Sequence, residues 1–206
     1  GLHAYGLDLA PDLGYPEFAD NKDMHRAQWV NNTISHNTVV VDKRKQSAQW
    51  VGMPKHYDAT DDVKLVDVEA PRVYPHVDTY RRTTAMIRVD EEHSYAVDFF
   101  RVKGGNDHHF SLHAAEGVVA TEGLSLVAQP TGTYAGPDVE FGQRVDDVDG
   151  AGYMGSGFHW LKNVERDNNP PGQFSVDWNV KDTWNVYGNG TNAPTDVHLR
   201  LTMLGP

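Results

Sequence analysis

The chain has 206 residues, a formal net charge of −11 and no cysteine. The acidic balance excludes proteins that bind nucleic-acid backbones non-specifically, because such binding needs clustered Lys and Arg. Without cysteine there is neither a disulfide nor a thiolate metal site, and no apolar run reaches the roughly 18 residues of a transmembrane helix. A chain of this length is typical of one large domain, so we expect residues 1–206 to form a single domain.

The first two predicted strands flank a group of polar residues. Residues 2–9 form the first strand pattern and lead into a turn that contains Asp12. The second is the three-valine run at Val39–Val41, which follows Ser35, His36 and Asn37. A β-branched run bounded by polar residues predicts a buried strand, so the polar side chains should lie where the strand leaves the core. Asp12 and His36, 24 residues apart, could therefore converge.

Further strands are predicted downstream, and helical periodicity is nearly absent. Strand patterns recur at residues 63–68, 83–89, 95–102, 110–114, 124–128, 174–180 and 197–203. The Gly-Gly-Asn sequence at 104–106 predicts a hairpin that joins the strand at 95–102 to the strand at 110. Strands in series without helices predict an all-β fold, an antiparallel β-sandwich. An acidic run at residues 146–150 is better interpreted as a solvated loop than as a calcium site.

Three histidines near residue 110 invite a metal interpretation that strand geometry opposes. His109 and His113 share a strand face, but about 13 Å separates them in an extended segment, and His108 points the other way. We therefore expect these residues to have a scaffold role or to line a groove. Asp98, beside two phenylalanines, is expected to be a buried carboxylate paired with Arg82 or Arg101.

The order and spacing of several motifs resemble the heparinase II/III-like polysaccharide lyases. The turn at residues 12–16, Trp29, the Ser35-His36-Asn37 set with its valine strand, and Gln46 carry this resemblance. It continues more weakly through residues 80–82, 95–102 and 107–113. The resemblance implies a supersandwich-like β-sandwich that is the C-terminal part of a larger enzyme. An N-terminal α/α-toroid would precede it, so the chain is expected to be truncated at its N-terminus.

The resemblance also implies a metal site. Asp12 matches an aspartate ligand of the family and His36 a histidine ligand, and the metal would be a structural zinc. A third protein ligand is expected upstream of Gly1, and two ligands alone would bind weakly. The alternative is that Asp12 caps a turn and His36 bonds a backbone carbonyl.

The family cleaves uronate-containing glycans by β-elimination, with a tyrosine and a histidine or asparagine that cannot be mapped onto this chain. We therefore assign no catalytic residue and expect the fragment alone to be inactive. For substrate binding, the aromatic faces of Tyr15 and Trp29 suit a sugar ring, and Lys43, Arg44 and Gln46 suit a carboxylate or sulfate. The alternative is ordinary packing of the aromatic residues and a solvated hairpin.

Taken together, these features predict the C-terminal β-sheet domain of a lyase that acts on an anionic polysaccharide, heparin- or heparan-like or alginate-like. The expected partner is the toroid of the same protein, and the expected location is extracytoplasmic, either periplasmic or secreted. Two other functions stay open, a non-catalytic carbohydrate-binding module and a structural sandwich of a larger surface protein. Exposed aromatic residues along one sheet face would favour the module, whereas convergence of Asp12 and His36 would favour the lyase.

Overall fold

The computed structural model describes residues 1–15, 23–143, 152–188 and 194–205. Within these residues every strand pairing is antiparallel, which confirms the predicted all-β class. Helical turns lie at Arg26–Val30, Thr33–Ser35 and Phe158–Trp160. No helix in the described part is long and apolar enough to cross a membrane. The strands are β1 (His3–Ala4), β2 (Leu7–Asp8), β3 (Val39–Val41), β4 (Met53–Ala59), β5 (Val63–Glu69), β6 (Val77–Arg88), β7 (Ser94–Gly104), β8 (His108–Phe110), β9 (Gly117–Glu122), β10 (Val127–Ala128), β11 (Glu165–Arg166), β12 (Phe174–Val180) and β13 (His198–Met203).

The chain divides into two compact units. The first unit comprises residues 1–38, 111–153 and 157–206, and the second comprises residues 39–110 and 154–156. One folding domain can contain two such units, so the prediction of a single domain stays a prediction. The acidic run predicted at residues 146–150 lies outside the described residues.

The second unit contains a four-stranded sheet in the order β4-β5-β6-β7 and the pair β3-β8. Val40 and Val41 are fully buried, as the β-branched run predicted. Val39 and Val41 pack with Tyr74 and Tyr80 in one apolar cluster. The Tyr80 hydroxyl donates to the Val39 carbonyl at 2.6 Å and accepts from the Gln46 amide at 2.7 Å, so a polar group inside the core is satisfied.

The first unit contains the sheet β13-β12-β9 and the two-stranded pairs β1-β2 and β10-β11. Its core includes Leu7, Leu9, Val180 and Val197. The alternation predicted at residues 174–180 and 197–203 is confirmed by β12 and β13, which pair along six residues each. The first unit therefore has its own hydrophobic cluster on which the candidate metal ligands can be held.

Two connections differ from prediction. The single strand expected at residues 2–9 is wrong, because β1 and β2 form a hairpin across Tyr5 and Gly6. Both turn residues have positive φ, which a tight hairpin turn requires. The hairpin expected between β7 and β8 is also wrong, since β8 pairs with β3. Gly104 and Gly105 have positive φ and lead the chain from the sheet to the β3-β8 pair.

Three other features differ from the sequence prediction. Strand β4 was not predicted, because all seven of its residues are exposed and it shows no apolar alternation. It lies at the edge of its sheet, where Pro54 is tolerated. The strands predicted at 110–114 and 124–128 are shorter, and only β8 up to Phe110 and β10 form there. Asp98 pairs with Arg82 at 2.9 Å, as one of the two predicted alternatives, but it is exposed rather than buried.

Candidate functional site

The Asp12 carboxylate is held by its own turn. One oxygen, Oδ1, accepts the backbone N–H of Gly14 at 3.0 Å, and Gly14 has a φ of +62°. An aspartate that accepts from the residue two positions later forms an Asx turn, which Gly completes because positive φ is easy for it. This hydrogen bond, followed by the one to His36, holds the pKa of Asp12 below its ordinary value. Asp12 is therefore ionised at neutral pH and can accept hydrogen bonds or bind a cation.

His36 meets the second oxygen of that carboxylate. The helical turn Thr33–Ser35 ends just before His36, whose backbone is extended. The Ser35 hydroxyl donates to the Asn32 carbonyl at 2.8 Å and fixes the turn. The His36 Nδ1 then lies 2.7 Å from the Asp12 Oδ2. The two predicted metal ligands are thus brought together, with a direct hydrogen bond between a ring nitrogen and a carboxylate oxygen.

Asn37 and His113 hold the segment around His36 by hydrogen bonds. The Asn37 Oδ1 accepts the backbone N–H of His113 at 2.6 Å, and the His113 Nε2 lies 2.6 Å from the Ile34 carbonyl. Because a carbonyl only accepts, the Nε2 of His113 carries a proton. Burial, the largest cause, lowers the pKa of His113, so the ring is neutral at physiological pH. The scaffold role expected of His113 fits these bonds, and Asn37 is a supporting residue that the sequence did not identify as one.

The two aromatic candidates differ in exposure. Tyr15 is 97% exposed, so its ring is available to a ligand. Trp29 is only partly exposed, and its ring stands edge-to-face on His113 with 5.7 Å between the centroids. Trp29 therefore packs within the first unit, which leaves less of its face open for stacking than the sequence suggested.

The polar candidates Lys43, Arg44 and Gln46 belong to the second unit. The Lys43 ammonium lies 3.5 Å from a carboxylate oxygen of Asp107. The Gln46 amide donates to the Tyr80 hydroxyl in the core, as described above. Arg44 is exposed and lines a pocket of this unit. Of the three side chains, Arg44 is the one best placed to meet an anion, because it is exposed and lines a pocket. The substrate role of all three residues stays a prediction.

A comparison with protein families finds one match, to the family described as heparinase II/III-like, C-terminal, over residues 2–198. The match covers nearly the whole chain. The chain belongs to this family. The resemblance inferred from the motifs is thereby confirmed, and in general terms the domain is that of a polysaccharide lyase. Searches of curated proteins and of solved structures found no match.

The heparinase II/III-like domain offers two residues for a metal at Asp12 and His36. Among the described residues no group of three or more His, Cys, Asp or Glu side chains could hold an ion. The donor set is nevertheless one that zinc accepts, since imidazole nitrogen and carboxylate oxygen are both common zinc ligands. Asp12 and His36 would therefore fit two positions of a zinc site.

The Asp–His pair alone does not single out a metal site in this family member. His93 and Asp90 form a similar exposed pair at 2.8 Å, and His76 and Asp42 do so as well. What distinguishes Asp12 and His36 is their place in the motifs that carry the family resemblance. The other Asp–His pairs supply matched controls for experiments on the site.

Proposed function

We propose that the domain forms part of a lyase that cleaves uronate-containing polysaccharides, heparin- or heparan-like or alginate-like, by β-elimination. The observation that carries the proposal is the family match over residues 2–198. Elimination removes the proton α to the uronate carboxylate, neutralises that carboxylate and protonates the leaving oxygen. We assign none of these steps to a residue of this chain, and we place them in the toroid of the same protein. An extracytoplasmic location is part of the proposal, because the substrate is a polymer.

Asp12 and His36 are proposed as two protein ligands of a structural zinc in the full-length protein. A zinc ion there would supply a cross-link between the turn of Asp12 and the segment of His36, which steadies both loops. The convergence of the Asp12 Oδ2 and the His36 Nδ1 at 2.7 Å supports the pairing. Asn37 and His113 would act as positioning residues, since their hydrogen bonds hold the backbone on either side.

The lyase proposal is tested by an ultraviolet assay for new unsaturated uronate ends. The full-length protein and this chain alone are each incubated with heparan sulfate, alginate and related polymers. Activity in the full-length protein, together with none in this chain, supports the proposal and names the substrate. No unsaturated ends from either protein on any polymer would refute it.

The zinc proposal is tested by metal analysis of the purified full-length protein. We expect Asp12→Asn and His36→Gln to lower the bound zinc and to reduce thermal stability, because each removes one ligand. Asp90→Asn and His93→Gln are matched controls, since they disrupt another exposed Asp–His pair, whose N–O distance is 2.8 Å. Equal zinc content in the wild type and in both site variants would contradict the proposal.

A non-catalytic carbohydrate-binding module remains the second candidate, and one observation favours it. Tyr95 and Phe99 lie on the same face of strand β7, four residues apart, and each is 53% exposed. Strand β7 lies at the edge of its sheet, and aromatic rings along such a strand suit sugar stacking. Binding of glycans that Tyr95→Ala and Phe99→Ala abolish, without any unsaturated ends in the ultraviolet assay, would move this candidate to first place.

A further inference from the structure

The second unit contains a pocket of about 370 Å³ that the candidate metal site does not include. Strand β3 ends beside it, and the chain after β3 forms one rim. Its polar lining comes from Arg44, Lys45, Ser47 and His76, and its apolar lining comes from Val73, Tyr74, Pro75 and Met154. The volume is at the low end of the roughly 300–1,000 Å³ typical of small-molecule pockets. A single sugar unit with one substituent group is therefore a better match for the space than a long chain.

The charge of this pocket is opposite to that of the whole chain. The chain carries a net charge of −11, yet none of the described residues that line the pocket has a carboxylate. A second pocket of the same unit, by contrast, has five carboxylates in its lining against two cations, Lys64 and Arg88. The five are Asp61, Asp62, Asp90, Glu91 and Glu92. A local group of cations on an acidic protein focuses the field at one place and raises the local concentration of anions there. The pocket is thus suited to a negatively charged group.

Backbone contacts hold the basic rim in place. The N–H of Arg44 donates to the Val41 carbonyl at 3.1 Å, and the Tyr74 hydroxyl donates to the Arg44 carbonyl at 2.8 Å. The N–H of Lys45 donates to the Met154 carbonyl at 2.9 Å. Tyr74 itself is only 3% exposed and belongs to the core cluster of the unit. The backbone of the rim is therefore bonded to buried Val41 and Tyr74, and also to Met154, before any ligand arrives, which reduces the entropy lost on binding.

His76, another residue of the pocket lining, is held by Asp42. The His76 Nε2 lies 2.8 Å from the Asp42 Oδ2, while the Asp42 Oδ1 accepts the backbone N–H groups of Asn106 and Asp107. Because a carboxylate only accepts, the Nε2 of His76 carries the proton, and the negative charge of Asp42 is shared among three donors. Asp42 does not line the pocket. The imidazole is oriented by this bond without placing a carboxylate in the ligand space.

We propose that this pocket binds the anionic group of a sugar unit, with Arg44 and Lys45 on the carboxylate or sulfate and the apolar wall against the sugar ring. The proposal rests on the proposed function for the source of the ligand, an anionic polysaccharide. A guanidinium forms two parallel hydrogen bonds to such a planar or tetrahedral oxyanion, and an ammonium adds a point charge. The exposed apolar surfaces of Pro75 and Met154, which line the pocket, suit the C–H face of a sugar ring.

The test measures binding to the full-length protein by isothermal titration calorimetry. The probes are limit-digest disaccharides of heparan sulfate and of alginate, which are not cleaved further, and inorganic sulfate alone. The double variant Arg44→Gln, Lys45→Gln is compared with Arg72→Gln, an exposed arginine of the same unit that does not line the pocket. We expect the double variant to raise the Kd for a disaccharide about tenfold, because charge-assisted contacts are lost, and the control to change it less than about twofold.

A second readout does not depend on the variants. Titration of the disaccharide into protein labelled at histidine should shift the NMR signals of the His76 ring more than those of His93, which lies in the acidic pocket. A preference for sulfated disaccharides would identify sulfate as the group bound, and a preference for alginate products would identify the uronate carboxylate. Either preference supports the proposal when the double variant removes it.

The outcomes that overturn the proposal are distinct from failure of the lyase function. Cleavage of a polymer by the full-length protein, with equal Kd values for the wild type and the double variant, refutes the pocket and leaves the lyase in place. Binding of inorganic sulfate as tight as that of any disaccharide shows an ion site only and refutes sugar recognition. Absence of both cleavage and binding on every probe refutes the pocket and the proposed function together.

Discussion

Replacing Tyr80 with Phe tests whether Gln46 belongs to the core or to a substrate surface. The Tyr80 hydroxyl makes two hydrogen bonds, to the Val39 carbonyl at 2.6 Å and from the Gln46 amide at 2.7 Å, and the residue is 6% exposed. Each bond contributes about 1 kcal/mol net, and a buried carbonyl left without its donor adds to the loss, so Tyr80→Phe should lower the free energy of unfolding by about 2 kcal/mol. In a domain of this size that corresponds to a fall in Tm of about 4–8 °C.

The assay is urea unfolding followed by tryptophan fluorescence, for Tyr80→Phe, Gln46→Met and the double variant. Gln46→Met keeps the side-chain length but cannot donate, so we expect a loss of about 1 kcal/mol. The double variant should lose less than the sum of the two, because both single changes remove the same hydrogen bond. Tyr57→Phe is the matched control, since Tyr57 is 70% exposed in the same sheet and should change stability by less than about 0.5 kcal/mol.

Two results would contradict the structural role of the Tyr80–Gln46 hydrogen bond. If Tyr80→Phe unfolds at the same urea concentration as the wild type, the hydroxyl contributes nothing to the core. If Gln46→Met keeps full stability and weakens binding of an anionic disaccharide, the predicted substrate role of Gln46 is correct and the structural role is not.

Three further changes have expected outcomes that unfolding experiments check. Gly157→Ala should lower the free energy of unfolding by at least about 2 kcal/mol, because φ at Gly157 is +73° and a Cβ there would lie 2.5 Å from the Gln28 carbonyl oxygen. The control Gly172→Ala, with open space around the new methyl group, should change the free energy of unfolding by less than about 0.5 kcal/mol. The hydrogen bond from Arg81 lowers the pKa of Asp67 to about 2. The loss of stability in Arg81→Met should therefore be largest above pH 3.8, where Asp67 is ionised in both states, and should disappear as the pH falls through about 2. A loss of stability that does not depend on pH would contradict the pairing. His198 donates to Asp177 and Asp196, which raise its pKa above 6.5, so its contribution is full below pH 6.5 and is lost as the pH rises through the higher folded-state pKa. Comparison of the wild type with His198→Gln from pH 5 to pH 9 checks this, and a difference that grows with pH would show the opposite sign.

Part of the candidate site could be predicted from local sequence. The Asp12 turn follows from an aspartate two residues before a glycine, and the burial of Val39–Val41 follows from a β-branched run. The approach of Asp12 to His36 was foreseen only as an option, because a spacing of 24 residues is compatible with many arrangements. The support that Asn37 gives to His113 was not foreseen, since 76 residues separate the two and no short-range pattern joins them.

The sequence by itself determined the all-β class, most of the strands and the family, because side-chain alternation and motif spacing are local properties that do not depend on which strands pair. Tertiary structure alone decided that β8 pairs with β3 and that residues 2–9 turn back on themselves. It also decided that His76 lines the same pocket as Arg44. The physical reason is that pairing depends on which apolar faces are buried together and on the closure of long loops, and both are properties of the whole chain.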